Sequence, residues 1–285
     1  MDTPKRKSIV ISTSLKATMR TDMFENFVPL YSIKEEYECD ETGNMDSFIS
    51  KRKDELRSLL REKIDDDYAR IRLERIKRQR TDFRFYKDGE KEYPSSTSII
   101  SGVEPIQFDP NELKQYGSRG QIVHKQIQNY LETGKWQDDV LEIPGTKLDY
   151  LVVTQGSLRL SWADCNFRGF EKKYGKDFKF GKCEVKVINR EAEYGGTLDN
   201  DCIYKEEPAI ADFKSSSNYD KQKMVRFWKQ LASYAKPLGR KVMVIIPLNP
   251  KNKSGFGEPV VNKEVDKYYN LFLQDRQAFR EIYGI

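Results

Sequence analysis

The sequence predicts an α/β fold: a mixed central sheet flanked by helices, preceded by an N-terminal helical extension. Three observations predict it. Apolar runs of strand length recur at 183–187, 197–204 and 209–213. Two segments with helical spacing, about 221–235 and 263–283, bracket a further apolar run at 241–247. Upstream of about residue 81 the texture changes, and from 47 to 80 apolar residues recur mostly at three, four or seven residue steps among charges.

From residue 1 to about 43, Phe27, Val28, Leu30 and Tyr31 stand next to an acidic patch of Glu35, Glu36, Glu38, Asp40 and Glu41, and no element is assigned. Ile49, Leu56, Leu60, Ile64, Tyr68, Ile71 and Ile76 then predict one long amphipathic helix, or two with a break near Asp65, Asp66 and Asp67. The division expected is 1–82 for this region and 83–285 for the α/β domain. Tyr93-Pro94-Ser95-Ser96-Thr97-Ser98 marks a turn whose hydroxyls can cap a short helix through Ile99 and Ile100. Gly117 and Gly120 precede a helix from about 121 to 132 that stops at Gly134, with Ile127, Tyr130 and Leu131 as its buried stripe. His124, the one histidine of the chain, sits one turn before Ile127 and should reach the sheet. Lys205-Glu206-Glu207-Pro208 joins two strands closely enough for a hairpin, with the turn expected about Glu206 and Glu207. The 221–235 helix, apolar at Met224, Phe227, Trp228, Leu231 and Tyr234, ends at Pro237 and Gly239.

Composition narrows the function classes. A chain of 285 residues can bury a substantial core, and no apolar run approaches the roughly 20 residues needed to span a bilayer. The net charge of +5 is modest, but 33% of residues are charged, so local distribution decides more than the total. Arg70, Arg72, Arg75, Lys77, Arg78 and Arg80 crowd a segment whose one acidic residue is Glu74, which reads as a solvated helix face or a phosphate-binding surface. Cys39, Cys165, Cys183 and Cys202 form no CxxC pair, which suggests neither a zinc knuckle nor a secreted disulfide framework but free thiols in a reducing cytosol. Lys5, Arg6, Lys7, Lys16 and Arg20 among Ser and Thr share the composition of a transit peptide, so mitochondrial targeting stays open. Without a cleavage signal, no targeting segment is expected, and the protein is read as cytoplasmic.

The chemistry is carried by Gly195-Gly196-Thr197-Leu198-Asp199 and by Asp212-Phe213-Lys214. Side chains alternate on a strand, so Asp212 and Lys214 share a face, and the hairpin should bring Asp199 across from them. Two close carboxylates call for a hard cation, and oxygen donors suit Mg²⁺ or Mn²⁺. A metal and an ammonium beside carboxylates are the minimum equipment for hydrolysing a phosphodiester. An isolated DxK is a common surface pattern, and its pairing with the glycine-rich strand is what favours a site. Glu184 reads as an additional or supporting metal residue, or as a surface carboxylate. Asp201 shares parity with Asp199 and competes with it. His124 is a ligand or a buried, hydrogen-bonded helix histidine.

In these elements the chain resembles the PD-(D/E)XK nuclease superfamily, specifically its RecB-like branch. His124 within Arg119-Gly120-Gln121-Ile122-Val123-His124, then Gly196-Thr197-Leu198-Asp199, Asp212-Phe213-Lys214 and Gln230-Leu231-Ala232-Ser233-Tyr234 follow the order of that branch's motifs. The segment from Tyr93 to Ile100 is similar to one preceding the histidine helix in phage nucleases and in the mitochondrial genome maintenance exonuclease. The resemblance spans roughly 93–246 and implies a restriction-endonuclease-like core. It implies that His124, Asp199, Asp212 and the Phe213 carbonyl bind Mg²⁺ or Mn²⁺, that Lys214 is the catalytic lysine, and that Gln230 and Tyr234 contact nucleic acid. Relatives with an iron-sulfur cluster carry three cysteines after the core, whereas none here follows Cys202, so no cluster is expected.

The activity implied is a metal-dependent DNase of bacterial or phage-infected cells, acting as an exonuclease on single-stranded ends. A structure-specific endonuclease or flap nuclease with the same core, and a non-cleaving nucleic-acid-binding protein, are the alternatives. Arg75, Lys77, Arg78 and Arg80, followed by the aromatics Phe83, Phe85 and Tyr86, are expected to guide the strand toward the metal.

Overall fold

The computed structural model describes residues 7–16, 19–20, 26–27, 30–39, 45–105, 110–135, 152–155, 158–216, 219–248 and 254–285. Val28, Asp40 and Glu41 of the N-terminal reading, and Lys5 and Arg6 of the targeting reading, lie outside them. The chain divides into two compact units, Met1–Thr81 with Arg280–Ile285, and Asp82–Phe279.

The first unit holds β1 (Lys7–Lys16), β2 (Met19–Arg20), β3 (Asn26–Phe27), β4 (Leu30–Cys39) and α1 (Met45–Gln79). β1 pairs antiparallel with β4, and β2 with β3, in a stretch where the sequence predicted no element. The signal was there in period two: Tyr31, Ile33, Glu35 and Tyr37 are half-buried while the residues between them are exposed. The acidic residues masked it, because Glu35 lies on the inner face and is held by Arg52 of α1 at 2.8 Å. α1 runs unbroken through Asp65–Asp67. Asp67 accepts a hydrogen bond from Tyr31 and pairs with Arg70 at 3.0 Å, so the acidic triplet is locally compensated.

The second unit contains β5 (Phe85–Asp88), β6 (Lys91–Pro94), α2 (Ser96–Val103), α3 (Pro110–Thr133), β7 (Val152–Gln155), β8 (Leu158–Ser161), α4 (Trp162–Tyr174), β9 (Phe178–Asn189), β10 (Tyr194–Tyr204), β11 (Glu207–Lys214), α5 (Lys221–Ala235), β12 (Val242–Pro247) and β13 (Val260–Asn262). It also contains most of α6 (Val265–Tyr283). A five-stranded sheet in the order β13-β12-β11-β10-β9 is mixed: β11 and β12 are parallel across the α5 crossover, and the other pairs are antiparallel.

Each face of this sheet buries its own core. Val123 and Ile127 of α3 and Phe167 and Phe170 of α4 pack on Ala209, Ala211, Phe213, Val242, Val244 and Ile246. On the other face Trp228, Leu231 and Ala232 of α5 and Val265 of α6 pack on Ile210, Met243 and Ile245. The alternation along β11 and β12 therefore assigns α3 and α4 to one side and α5 and α6 to the other.

Two boundaries near the site differ from the sequence reading. The β10–β11 turn is made by Lys205 and Glu206, both at positive φ, with Glu207 already paired to Tyr204. That is the geometry of a two-residue mirror-image turn without its usual Asn-Gly signal. Gly117 and Gly120 lie inside α3, which begins at Pro110 and ends, as expected, at Gly134 in the left-handed region. β5, β6, β7, β8, α4 and β13 were not anticipated. Ser95 caps α2 by accepting from the Ser98 N–H, and Asp220 caps α5 by accepting from the Lys223 N–H. No helix among the described residues is long and apolar enough to cross a membrane.

Candidate active site

The two glycines that open β10 are there for their neighbours. A Cβ on Gly195 would come within 2.6 Å of Tyr86 Cβ, and one on Gly196 would run into the Tyr234 ring. Their missing side chains let a tyrosine from β5 and one from α5 close on adjacent residues of the strand. Beyond them the strand is irregular. Leu198 and Cys202, four residues apart and of like parity, pack on opposite faces of the sheet, and the register with β9 shifts between Asn200 and Cys202. Asp199 lies just before this shift, inside the stretch from Leu198 to Cys202 over which the strand changes faces and a side chain can be re-aimed.

Asp199 is gripped from two sides. Its Oδ2 accepts the Phe213 N–H at 2.8 Å, and its Oδ1 lies 3.1 Å from His124 Nδ1. His124 Nε2 in turn stands 2.6 Å from the Phe213 carbonyl oxygen. The histidine is carried by the face of α3 that buries Val123 and Ile127, so core packing fixes its reach to the sheet.

Asp212 and Lys214 share the parity of Ile210 and face α5. Lys214 Nζ lies 2.6 Å from Asp212 Oδ2, donates to Gln230 Oε1 at 3.3 Å and sits 4.9 Å from the Phe227 ring centroid. The close approach to Asp212 is an ion pair by distance, but its angles leave that buried oxygen without a hydrogen-bond donor.

Burial opposes every charge here, and the neighbours decide the outcome. It pushes the Asp212 carboxyl up to about 6 against the pull of Lys214, with Asp199 adding repulsion. For His124 burial favours the neutral ring, yet the Asp199 and Asp212 carboxylates outweigh it and raise the imidazole to about 9. The ring is then an imidazolium donating to both Asp199 and the Phe213 carbonyl. Asp199 resists burial through His124, Lys214 and the Phe213 N–H, and its carboxyl lies below the usual range.

Glu184 completes a group that the sequence reading had arranged differently. It lies on β9 with φ of 50°, a left-handed conformation costly for a residue with a Cβ. Ligand atoms of His124, Glu184 and Asp199 lie within 4.8 Å of one another. Burial and the nearby Asp199 raise the Glu184 carboxyl. One imidazole and two carboxylates, with the Phe213 carbonyl beside them, are a donor set that suits a divalent cation of the Mn²⁺ or Mg²⁺ kind. Asp212, expected in that set, lies outside this group because its strand parity turns it toward α5 and Lys214.

These residues floor a cleft of about 560 Å³. Arg84 and Tyr86 also line it, together with Gln121, Lys125 and Gln128 of α3. The α3 set was legible: with His124 it recurs at three and four residue steps, one polar face of a helix. Tyr86 and Thr197 meet by a 2.9 Å hydrogen bond between their hydroxyls.

Other expected residues fall elsewhere. Tyr234 lines the cleft but is only 2% exposed, so its ring is chiefly packing. Asp201 is bound by Arg240 through two hydrogen bonds of 2.8 Å, which leaves Asp199 as the site carboxylate. On α1, Lys77 is paired with Glu74 and Arg80 with the Tyr283 hydroxyl, while Arg75 and Arg78 are exposed without an ion-pair partner among the described residues. Phe83 is buried against Phe279 and is not available for stacking. Cys183 and Cys202 are free thiols.

No family model matches this chain, and no curated protein matches it. Among solved structures, a crystal structure of a protein described as SSO0001 is 9% identical, covers 65% of this chain and 84% of its own, and superimposes with a TM-score of 0.27. A likeness of that size carries no functional argument, so function must be argued from the site.

Proposed function

We propose that the protein is a divalent-metal-dependent nuclease with a restriction-endonuclease-like core, hydrolysing phosphodiester bonds of DNA and acting on single-stranded ends. One observation carries the reading: a single cleft gathers His124, Asp199, Glu184, Asp212 and Lys214 around the Phe213 backbone. His124, Glu184, Asp199 and the Phe213 carbonyl would hold Mg²⁺ or Mn²⁺, with Asp212 adjoining. Such a cation, when bound, neutralises the carboxylates and stabilises charge that builds on phosphate oxygens.

The chain's own groups divide the remaining work. Lys214, held between Asp212 and Gln230, orients a water molecule toward the phosphorus and offers its ammonium to the developing negative charge. Asp212, with its carboxyl raised by burial, is poised to exchange a proton with that water near neutral pH. Asp199 holds the Phe213 N–H, and His124 meets the carbonyl of the same residue. Arg84 and Lys125, which line the cleft, supply positive charge to a polyanion lying in it. Arg75 and Arg78 are the residues of the basic helix segment still available for phosphate.

The test is cleavage of end-labelled single-stranded, duplex and circular DNA with Mg²⁺, with Mn²⁺ and with chelator. Shortening from labelled single-stranded ends that requires metal and is lost in Asp212→Asn is expected. Cleavage of circles instead would indicate an endonuclease. Metal-independent binding with no cleavage of any substrate would refute the nuclease reading.

A further inference from the structure

We infer that Tyr86 is a stacking platform for one base of the bound strand, beside the metal-binding floor of the cleft; the inference rests on the nucleic-acid reading above. Among the described residues Tyr86 and Tyr234 are the two Phe, Tyr or Trp residues that line the cleft, and Tyr234 is buried. Tyr86 is half-buried. One side of it is taken by β10, where the bare backbone of Gly195 lets the ring lie close: a Cβ there would be 2.8 Å from Cγ and 3.1 Å from Cδ2. Its hydroxyl is tied to Thr197, two residues before Asp199. Gln121, Lys125 and Gln128 of α3, which also line the cleft, are polar and offer no competing ring. The tyrosine is thus locked at both ends, and stacking a base on it would immobilise nothing further on the protein side.

The substrate consequence is specific. Aromatic stacking accepts every base because each has a π-face, so it implies little sequence preference. A base within a duplex is already stacked and paired, and would have to be unstacked to reach the ring. Tyr86 therefore favours an unpaired nucleotide through the base, independently of the phosphate contacts, which single and double strands both offer.

The test uses wild type, Tyr86→Phe and Tyr86→Leu, with Ca²⁺ as the divalent ion, and measures binding of a fluorescein-labelled single-stranded oligodeoxynucleotide. A matched set carries an abasic position at each of the first four nucleotides in turn. In wild type, one abasic position should weaken binding about tenfold. Tyr86→Phe should behave alike. Tyr86→Leu should bind the intact strand about tenfold more weakly and be indifferent to that abasic position. A ring that merely seals β5 onto β10 would give equal abasic effects in wild type and Tyr86→Leu, or none in either, and the inference would be wrong. Should Tyr86→Leu not fold, 2-aminopurine at the sensitive position decides: quenching by wild type and Tyr86→Phe supports stacking, and unquenched emission overturns it. Failure of wild type to bind any oligomer would instead bring down the nucleic-acid reading, an outcome distinct from binding without base dependence.

Discussion

On the α3 side of the cleft Asp199 is held by a histidine and a backbone N–H, whereas on the α5 side Asp212 is held by a lysine through distance alone. Both carboxylates are nearly inaccessible, yet burial wins at Asp212, whose carboxyl is raised, and loses at Asp199, whose carboxyl is lowered. The difference lies first in charge, since the His124 imidazolium stands beside Asp199 while Asp199 itself repels charge on Asp212, and then in hydrogen bonds to the charged form. Two donors fix Asp199 as a carboxylate, and a single cation with poor angles leaves Asp212 able to take a proton. The α3 side is shaped to hold a cation and the α5 side to handle charge and protons, a division that can be broken experimentally.

The largest expected effect comes from the α5 side. Lys214→Met should lower turnover by roughly 10³-fold, the scale of one preorganised electrostatic contact, while Mn²⁺ binding measured by calorimetry persists. It should also destabilise the fold most at alkaline pH and least at pH 5. Losing the cation that pulls the buried Asp212 carboxyl down raises it above its wild-type value of about 6, so that it stays neutral in acid and is charged without a partner only at higher pH. His124→Gln should do the reverse, losing Mn²⁺ binding before turnover at saturating metal. Equal loss of metal binding in both variants would abolish the distinction.

pH separates the two sides without mutation. In chelator, His124 has a folded value of about 9 against an ordinary 6.5. Its stabilising contribution is complete below pH 6.5 and disappears as pH rises through 9, on the order of 3 kcal/mol. Asp212, raised from 3.8 to about 6, contributes below pH 3.8 and loses that contribution as pH rises through 6. Asp199, with a lowered value, acts oppositely and loses its contribution on acidification. Urea unfolding across pH 4–10 should show a decline in the upper window that His124→Gln removes and Asp212→Asn leaves. Saturating Mn²⁺ should also flatten that window, since a ligating nitrogen carries no proton.

Glu184 gives a smaller effect of two signs. A glycine tolerates its positive φ, so Glu184→Gly should stabilise the metal-free protein by about 1 kcal/mol. The same change should weaken Mn²⁺ binding about 10–100-fold, the cost typical of disturbing a metal site. Stabilisation without loss of affinity would remove Glu184 from the metal group.

Much of this contrast was legible in the residues. The α5 crossover, the hairpin and the DxK strand follow from period and punctuation, because each is a local pattern with a buried face. Asp199 and His124 were found through spacing. The way the carboxylates divide between the two sides was hidden, since β10 changes faces between Leu198 and Cys202 and no residue type announces it. Glu184 was visible only as an ambiguous carboxylate, its direction being set by a positive φ in the middle of a strand. The N-terminal strands were missed because Glu35 and Tyr37 occupy inner positions that polar residues rarely hold unless paired, and the pairing partner, Arg52, is on another element.

The smallest effect bears on Gln230, which resemblance assigns to nucleic acid and which the site places on Lys214. Its Oε1 accepts from Nζ at 3.3 Å, a long hydrogen bond, and Lys214 keeps its closer approach to Asp212 if the amide is lost. Gln230→Leu should therefore cost about 1 kcal/mol, or about fivefold, of the positioning of Nζ. If that is its role, the loss falls on kcat, KM is unchanged, and binding of single-stranded DNA in Ca²⁺ is unaffected. If Gln230 chiefly touches the strand, affinity falls and turnover at saturation is spared. Only the first pattern keeps Asp212, Lys214 and Gln230 together as one charge-handling unit, distinct from the histidine side of the cleft.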